Sequence, residues 1–470
     1  MSTTKKTLSV FTLAMINVAA VSSVRNWPVI AEYGFSSLFF FLVAALLFFI
    51  PVSMVSAELA TGWPETGGVF TWVKEAFGHR TGFLAVWLLW AENVIYYPTL
   101  LSFIAGTIAY IINPSLAQNT LYTLFVIIGV FWATTLANLL GMRTSGWIST
   151  FGVISGTIIP GGLIILLGIF WCLGGHPLQI AFTWDSFIPN MSSPTQLVFF
   201  SGVLVALCGL EMSAVHAREV KNPQRNYPRA ILLSAIITLG LYILGVLAIA
   251  IIIPQKEISL VAGSLQAFSS FVSAHGLSWL TPVIAILLTL GAFGTLSTWT
   301  AGPSKGLLGA AEGGDLPPFF RKCNRHGMPA SLLITQAIIV TIFSLIFLVM
   351  PTVSSAYWIL NAMIAQLYLI MYVLMFAAAI KLRYKRPNVL RAYKIPGGNF
   401  GMWCIAGTGL LGSLFTLFIG FFPPAQISTG STFFYVTFLL LGVILACFAP
   451  SVILLFQKPS WKKTTKNLIE

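Results

Sequence analysis

The chain has 470 residues, of which 57% are hydrophobic and only 8% charged, with a mean hydropathy of +0.90. That composition excludes a water-soluble globular domain and points to a polytopic membrane protein. The formal net charge of +13 then reflects which membrane face the Lys and Arg residues occupy and their attraction to anionic lipid, so nucleic acid is not expected as a partner.

Apolar runs long enough for the about 20 residues of a crossing fall at residues 9–31, 35–60, 80–113, 119–140, 145–173, 195–217, 228–254, 278–310, 331–350, 354–382, 401–422 and 431–457. They predict an all-α protein of twelve transmembrane helices with both termini on one side. Placing the termini in the cytoplasm puts every Lys and Arg on that side except Lys256, in an outer loop, and Arg25, within the first span. A span count off by one would scramble this segregation.

The first run is the least regular. Asn17 to Pro28 reads NVAAVSSVRNWP. Ser22, Ser23, Arg25 and Asn26 are poor company for lipid, and Pro28 removes a helical hydrogen bond, which predicts a break near Val21–Val24. Lys5-Lys6 ahead of an apolar run with Ala19-Ala20 also resembles a cleavable signal peptide, but removing it would leave eleven spans and upset the charge segregation. In the second run Glu58 is expected near the cytoplasmic face, pairing with Lys or Arg or capping freed amides. The third run carries Glu92 within LLWAENVIYYP.

The sixth run enters Ser201–Arg229, SGVLVALCGLEMSAVHAREVKNPQRNYPR, with Gly209-Leu210-Glu211 in mid-segment. A carboxylate there costs about 2.5–3.5 kcal/mol even on lenient insertion scales, so it reads as a site. Residues 1–175 and 195–385 thus form two halves that each open with an interrupted span; 400–457 adds two spans and 458–470 a short tail. Paired interruptions of this kind mark a carrier's central site, because freed N–H groups hold an anion and freed carbonyls a cation. A free amino acid carries both charges.

Arg25 and Glu92 leave two readings open. Either they form a fixed salt bridge, or Arg25 snorkels outward, in a purely structural role; or a lone Arg25 near the substrate carboxylate favours acidic substrates and repels cationic ones. Five scattered cysteines (Cys172, Cys208, Cys323, Cys404, Cys447) give no disulfide framework, and neither they nor the five histidines have metal spacing. No cofactor is expected. A membrane hydrolase lacks its nucleophile or HExxH set, and a channel lacks a repeated filter.

Four motifs then carry a family resemblance: Ala57–Ala60 with Glu65–Val73 (ETGGVFTWV); the Gly209-Leu210-Glu211 break; Glu219–Pro223 through Tyr227-Pro228; and Trp299 through Gly302–Lys305 to Leu316–Pro318. Over nearly its whole length the chain resembles the amino acid–polyamine–organocation (APC) superfamily of transporters. Ile50–Ala60, Gly67–Val73, Gly302–Gly306 and Tyr393–Gly398 (YKIPGG) are most similar to bacterial glutamate:GABA antiporters, with arginine:agmatine antiporters further away.

The resemblance implies a five-plus-five inverted repeat with two appended helices, working by alternating access in the inner membrane. It implies a carboxylate-binding turn at Val21, Ser22 and Ser23, amine-facing carbonyls at Ala206, Leu207 and Cys208 before Gly209, and an aromatic lid at Trp299. Glu211 takes the position linked to gating and protonation; Glu92 lies outside the family's common motifs and is grouped with Glu211 only as a second buried carboxylate. Where many relatives have Gly-Ser-Gly this chain has Val-Ser-Ser. Val205 stands where arginine carriers stack a Trp on guanidinium, which argues against arginine. A C-terminal plug, present in some relatives, is not expected after Lys466.

The implied function is amino acid exchange of the glutamate/GABA type, with small-molecule amino acids and membrane lipids as partners and the oligomeric state open. Proton-coupled uptake of neutral or other amino acids, or a non-transporting nutrient sensor with the same site, are the alternatives.

Overall fold

The computed structural model describes residues 9–63, 68–140, 154–189, 191–211 and 222–461, and every regular element among them is helical. The second half of the predicted sixth span with His216, residues 219–221 of the loop motif, the turn at Glu65–Gly67, residues 145–153 of the fifth span and the tail after 461 lie outside the described residues.

The chain starts with α1 (Val10–Val21), which stops at two extended residues, Ser22 (ψ 123°) and Ser23 (ψ 122°). After a 3₁₀ turn at Val24–Asn26 the helical path resumes as α2 (Trp27–Ala31). Pro28 sits in the first turn of α2, where a missing N–H is tolerated. The next helix is nearly continuous: α3 (Ser37–Ala44) passes through a π turn at Ala45–Phe49 into α4 (Ile50–Gly62). The π turn falls just before Pro51, whose carbonyl partner four residues back has no N–H to bond.

There follow α5 (Val69–Phe77), α6 (His79–Ile112), α7 (Thr120–Leu139), α8 (Ile159–Leu173), α9 (Phe200–Ala206), α10 (Pro223–Ile252), α11 (Gly263–Ala274) and α12 (Leu280–Glu312). The last four are α13 (Ala330–Ser344), α14 (Val353–Lys385), α15 (Thr408–Ile419) and α16 (Thr432–Leu455). Among the described residues nine helices are long and apolar enough to cross a membrane. The predicted first and sixth spans are not among the nine, because α1 and α9 are cut short by their breaks. The predicted eighth lies within α12, whose described apolar part is Leu280–Leu296.

Two helices form the centre. The most apolar stretches of α6 and α14 are 72% and 78% buried inside the protein, against 11% for α16, which therefore presents itself to lipid. A helix enclosed on all sides is free to carry polar groups that lipid would not accept. Along α6 pack α12 and α14, α9 lies against α14, and α1 runs along α10.

The contact of α2 with α10 depends on one glycine. A Cβ at Gly245 would stand 2.3 Å from the Trp27 ring, which is 2% exposed. Gly245→Ala is therefore expected to push Trp27 out of place and destabilise the protein by about 1–3 kcal/mol, the usual cost of overpacking. The check is the melting temperature in detergent; an unchanged value would mean that Trp27 does not seat on α10.

Candidate functional site

Each interrupted helix is held open by a tyrosine from another helix. At the first break, the Tyr242 hydroxyl on α10 accepts from the Ser23 N–H (3.3 Å) and the Asn26 amide (3.5 Å), and donates to the Val21 carbonyl (3.1 Å). From α11, the Ser264 hydroxyl donates to the Val24 carbonyl at 2.8 Å. The buried Ser22 hydroxyl has no partner.

At the second break the chain leaves α9 in a tight turn. The N–H groups of Leu207 and Cys208 fold back onto Leu204 (3.0 Å) and Val205 (3.1 Å). Gly209 follows at φ 109°, a conformation that residues with side chains rarely adopt. The regular helix ends at Ala206, so the backbone at Leu207 and Cys208 has left the α-helical ladder. The Gly209 N–H donates to the Tyr372 hydroxyl on α14 at 3.1 Å. Tyr372 in turn donates to Glu211 Oε2, and Tyr368 donates to Oε1 at 2.8 Å. Glu211 is 3% exposed and is thus buried with both oxygens satisfied.

Arg25 is also 3% exposed, which excludes snorkelling. The salt bridge with Glu92 weighed above does not form either: the ion pairs among the described residues lie elsewhere. Instead Arg25 Nη1 donates to Thr99 Oγ1 on α6 at 2.7 Å, and the guanidinium lies 4.6 Å from the Tyr96 ring centre and 5.8 Å from that of Tyr357 on α14. The physical reason is that aromatic faces stabilise a cation without adding a second charge to be desolvated. Glu92, equally buried, lies within electrostatic reach of both Arg25 and Glu211.

Trp299 joins this group through α6. Tyr97 donates to the Trp299 carbonyl at 2.7 Å, and the Tyr96 and Trp299 rings are 6.2 Å apart. A small cavity opens at the first break, lined by Ser23, Val24, Arg25, Thr157, Gly291 and Thr295. The structure therefore gathers the predicted residues into two clusters. At the first break Val21 and Ser23 are tied to α10 while Arg25 and Trp299 meet α6, whereas Gly209 and Glu211, at the end of α9, are tied to α14. Tyr242, Tyr357 and Tyr372 were missed by sequence reasoning, since a lone Tyr in an apolar span reads as an interface anchor.

A third polar cluster gathers at the far end of α14. Glu58 Oε1 pairs with Arg383 Nη1 at 2.6 Å and stands 3.4 Å from Arg391 Nε, while Oε2 accepts from the Ile395 N–H at 2.8 Å. Both expectations for Glu58, pairing with a basic residue and capping a free amide, are met at once. Arg383 Nη2 donates to the carbonyls of Ile395 (2.8 Å) and Gly398 (3.0 Å), so the YKIPGG segment closes over the pair. Burial pushes the Tyr393 phenol in that segment up to about 12.

The sequence profile of amino acid permeases matches residues 8–445. The chain is an amino acid permease of the APC superfamily. An uncharacterized transporter of Legionella pneumophila is 45% identical over 96% of this permease and 97% of its own length. A glutamate/gamma-aminobutyrate antiporter of Lactococcus lactis is 34% identical over 96% of the permease and 90% of its own length. A probable agmatine/putrescine antiporter of the same species is 24% identical, with 84% of each chain covered. The family is one of transporters rather than enzymes, and the permease is a multi-pass membrane protein.

Proposed function

We propose that this permease is an inner-membrane antiporter that exchanges glutamate for GABA or closely similar amino acids by alternating access. In this reading twelve helices cross the membrane with both termini in the cytoplasm, and the first ten form two inverted repeats. The observation that carries it is Arg25: a buried guanidinium without an ion-pair partner among the described residues, one turn beyond an interrupted helix. Such a group repels a cationic substrate and is stabilised by an anionic one.

The unpartnered Ser22 hydroxyl and the backbone at Val21 and Ser23 receive the α-carboxylate. The carbonyls of Ala206, Leu207 and Cys208, next to Gly209, receive the ammonium group. Trp299 closes over the bound substrate, while Glu211 and Glu92 couple occupancy to gating. The glutamate/GABA assignment also draws on the name of the Lactococcus relative.

The test is counterflow in proteoliposomes loaded with glutamate, GABA, glutamine, arginine or nothing, following entry of labelled glutamate. Entry is expected to depend on internal glutamate or GABA and to be absent with arginine. Equal rates into loaded and empty vesicles would overturn exchange in favour of coupled uptake, and binding without any turnover would identify a sensor.

A further inference from the structure

The hydrogen-bond inventory around Arg25 is one-sided. Thr99 uses its own hydrogen on the Tyr96 carbonyl at 2.7 Å, so its oxygen accepts from Arg25. Arg25 Nε is buried and donates to nothing. The Tyr357 hydroxyl, on a residue with 0% exposure, is likewise buried and unpartnered, and its ring centre lies 5.8 Å from the guanidinium carbon. The chain thus brings a side chain with an idle guanidinium N–H and one with an idle phenol O–H beside each other. A buried donor left idle is costly, and a charged one more so. What satisfies a guanidinium edge and a phenol together is an anion with several acceptor lone pairs, which among amino acid groups is a carboxylate.

We propose that Arg25 and Tyr357 hold the distal carboxylate of the substrate, the one that glutamate and GABA share. The proposal rests on the exchange reading above and adds to it an assignment of substrate ends to protein groups. GABA is glutamate without its α-carboxylate; the amine and the distal carboxylate keep the same carbon spacing. A carrier that gripped only the amine and the α-carboxylate would lose half its contacts to GABA. With the distal carboxylate on Arg25 and Tyr357, both compounds use the same anchor at this end and the amine-facing carbonyls at the other. They differ only at the first break, where Ser22 meets a carboxylate in glutamate and none in GABA.

The experiment measures inhibition of labelled glutamate counterflow by unlabelled glutamate and by GABA, together with the melting temperature without ligand, for wild type, Tyr357→Phe and Ser22→Ala. Tyr357→Phe is expected to weaken glutamate and GABA alike, roughly ten-fold, the usual scale for one hydrogen bond to a charged group. Its unliganded melting temperature should not fall, because the hydroxyl removed had no partner. Ser22→Ala should weaken glutamate and leave GABA unchanged.

Three results overturn the assignment while leaving exchange intact. Loss of glutamate but not GABA in Tyr357→Phe would place the α-carboxylate at this spot; no change in either would remove Tyr357 from the site; and a lowered melting temperature with a common loss would make the role structural. A wild-type protein that neither binds nor exchanges glutamate and GABA overturns the exchange reading itself, and this assignment with it.

Discussion

Replacing Arg383 with alanine is expected to destabilise the permease by about 3 kcal/mol, because it strips the short ion pair from a carboxylate that cannot reach water. Glu58 and Arg383 have side chains only 2% and 6% exposed. Arg391 and the Ile395 N–H still face Glu58, which keeps the loss at the lower end of the range for a broken buried pair. Arg383→Lys retains the charge and loses the fork onto the Ile395 and Gly398 carbonyls, so an intermediate loss of about 1–2 kcal/mol is expected. Melting temperatures of the two variants in one detergent check the order. A pair of values indistinguishable from wild type would show that α4 and the YKIPGG segment are held by other contacts.

Arg25→Ala is expected to lower glutamate exchange about 30-fold or more, since losing one side of a buried, hydrogen-bonded charge contact costs roughly 2–5 kcal/mol. GABA exchange should fall with it, and exchange of neutral amino acids far less. The melting temperature should fall less than in Arg383→Ala, because among the described residues the guanidinium has no ion-pair partner to leave behind. Comparable losses for acidic and neutral amino acids would instead make Arg25 a strut that holds α6 and α14 together through Thr99, Tyr96 and Tyr357.

The helix-1 break was legible because its signal is local: two serines, an arginine and an asparagine just ahead of Pro28 leave few helical arrangements that lipid would tolerate. Gly209 and Glu211 were legible for the same reason. The partners of these residues were not. Thr99 lies 74 residues from Arg25, Arg383 lies 325 from Glu58, and Tyr372 lies 161 from Glu211. Only the packing of α6 and α14 through the middle of the protein brings them together.

The Arg25–Glu92 alternative failed for an instructive reason. Sequence inspection pairs opposite charges, but it has no means of seeing two aromatic faces arriving from α6 and α14 to do the same work. Among the described residues, the first and sixth apolar runs do not yield long helices, because hydropathy registers the apolar residues on both sides of a break and not the break itself.

Tyr242 and Tyr357 are the same residue type with opposite hydrogen-bond occupancy. A phenol has one hydrogen to give and two lone pairs to offer. Tyr242 has spent all three, giving to Val21 and receiving from Ser23 and Asn26. It is a rivet, with no hydrogen-bonding capacity left over for a visitor. Tyr357 has spent none. Saturation thus separates a framework phenol from an open one within one residue type, and it is the open one that the proposed substrate contact would fill.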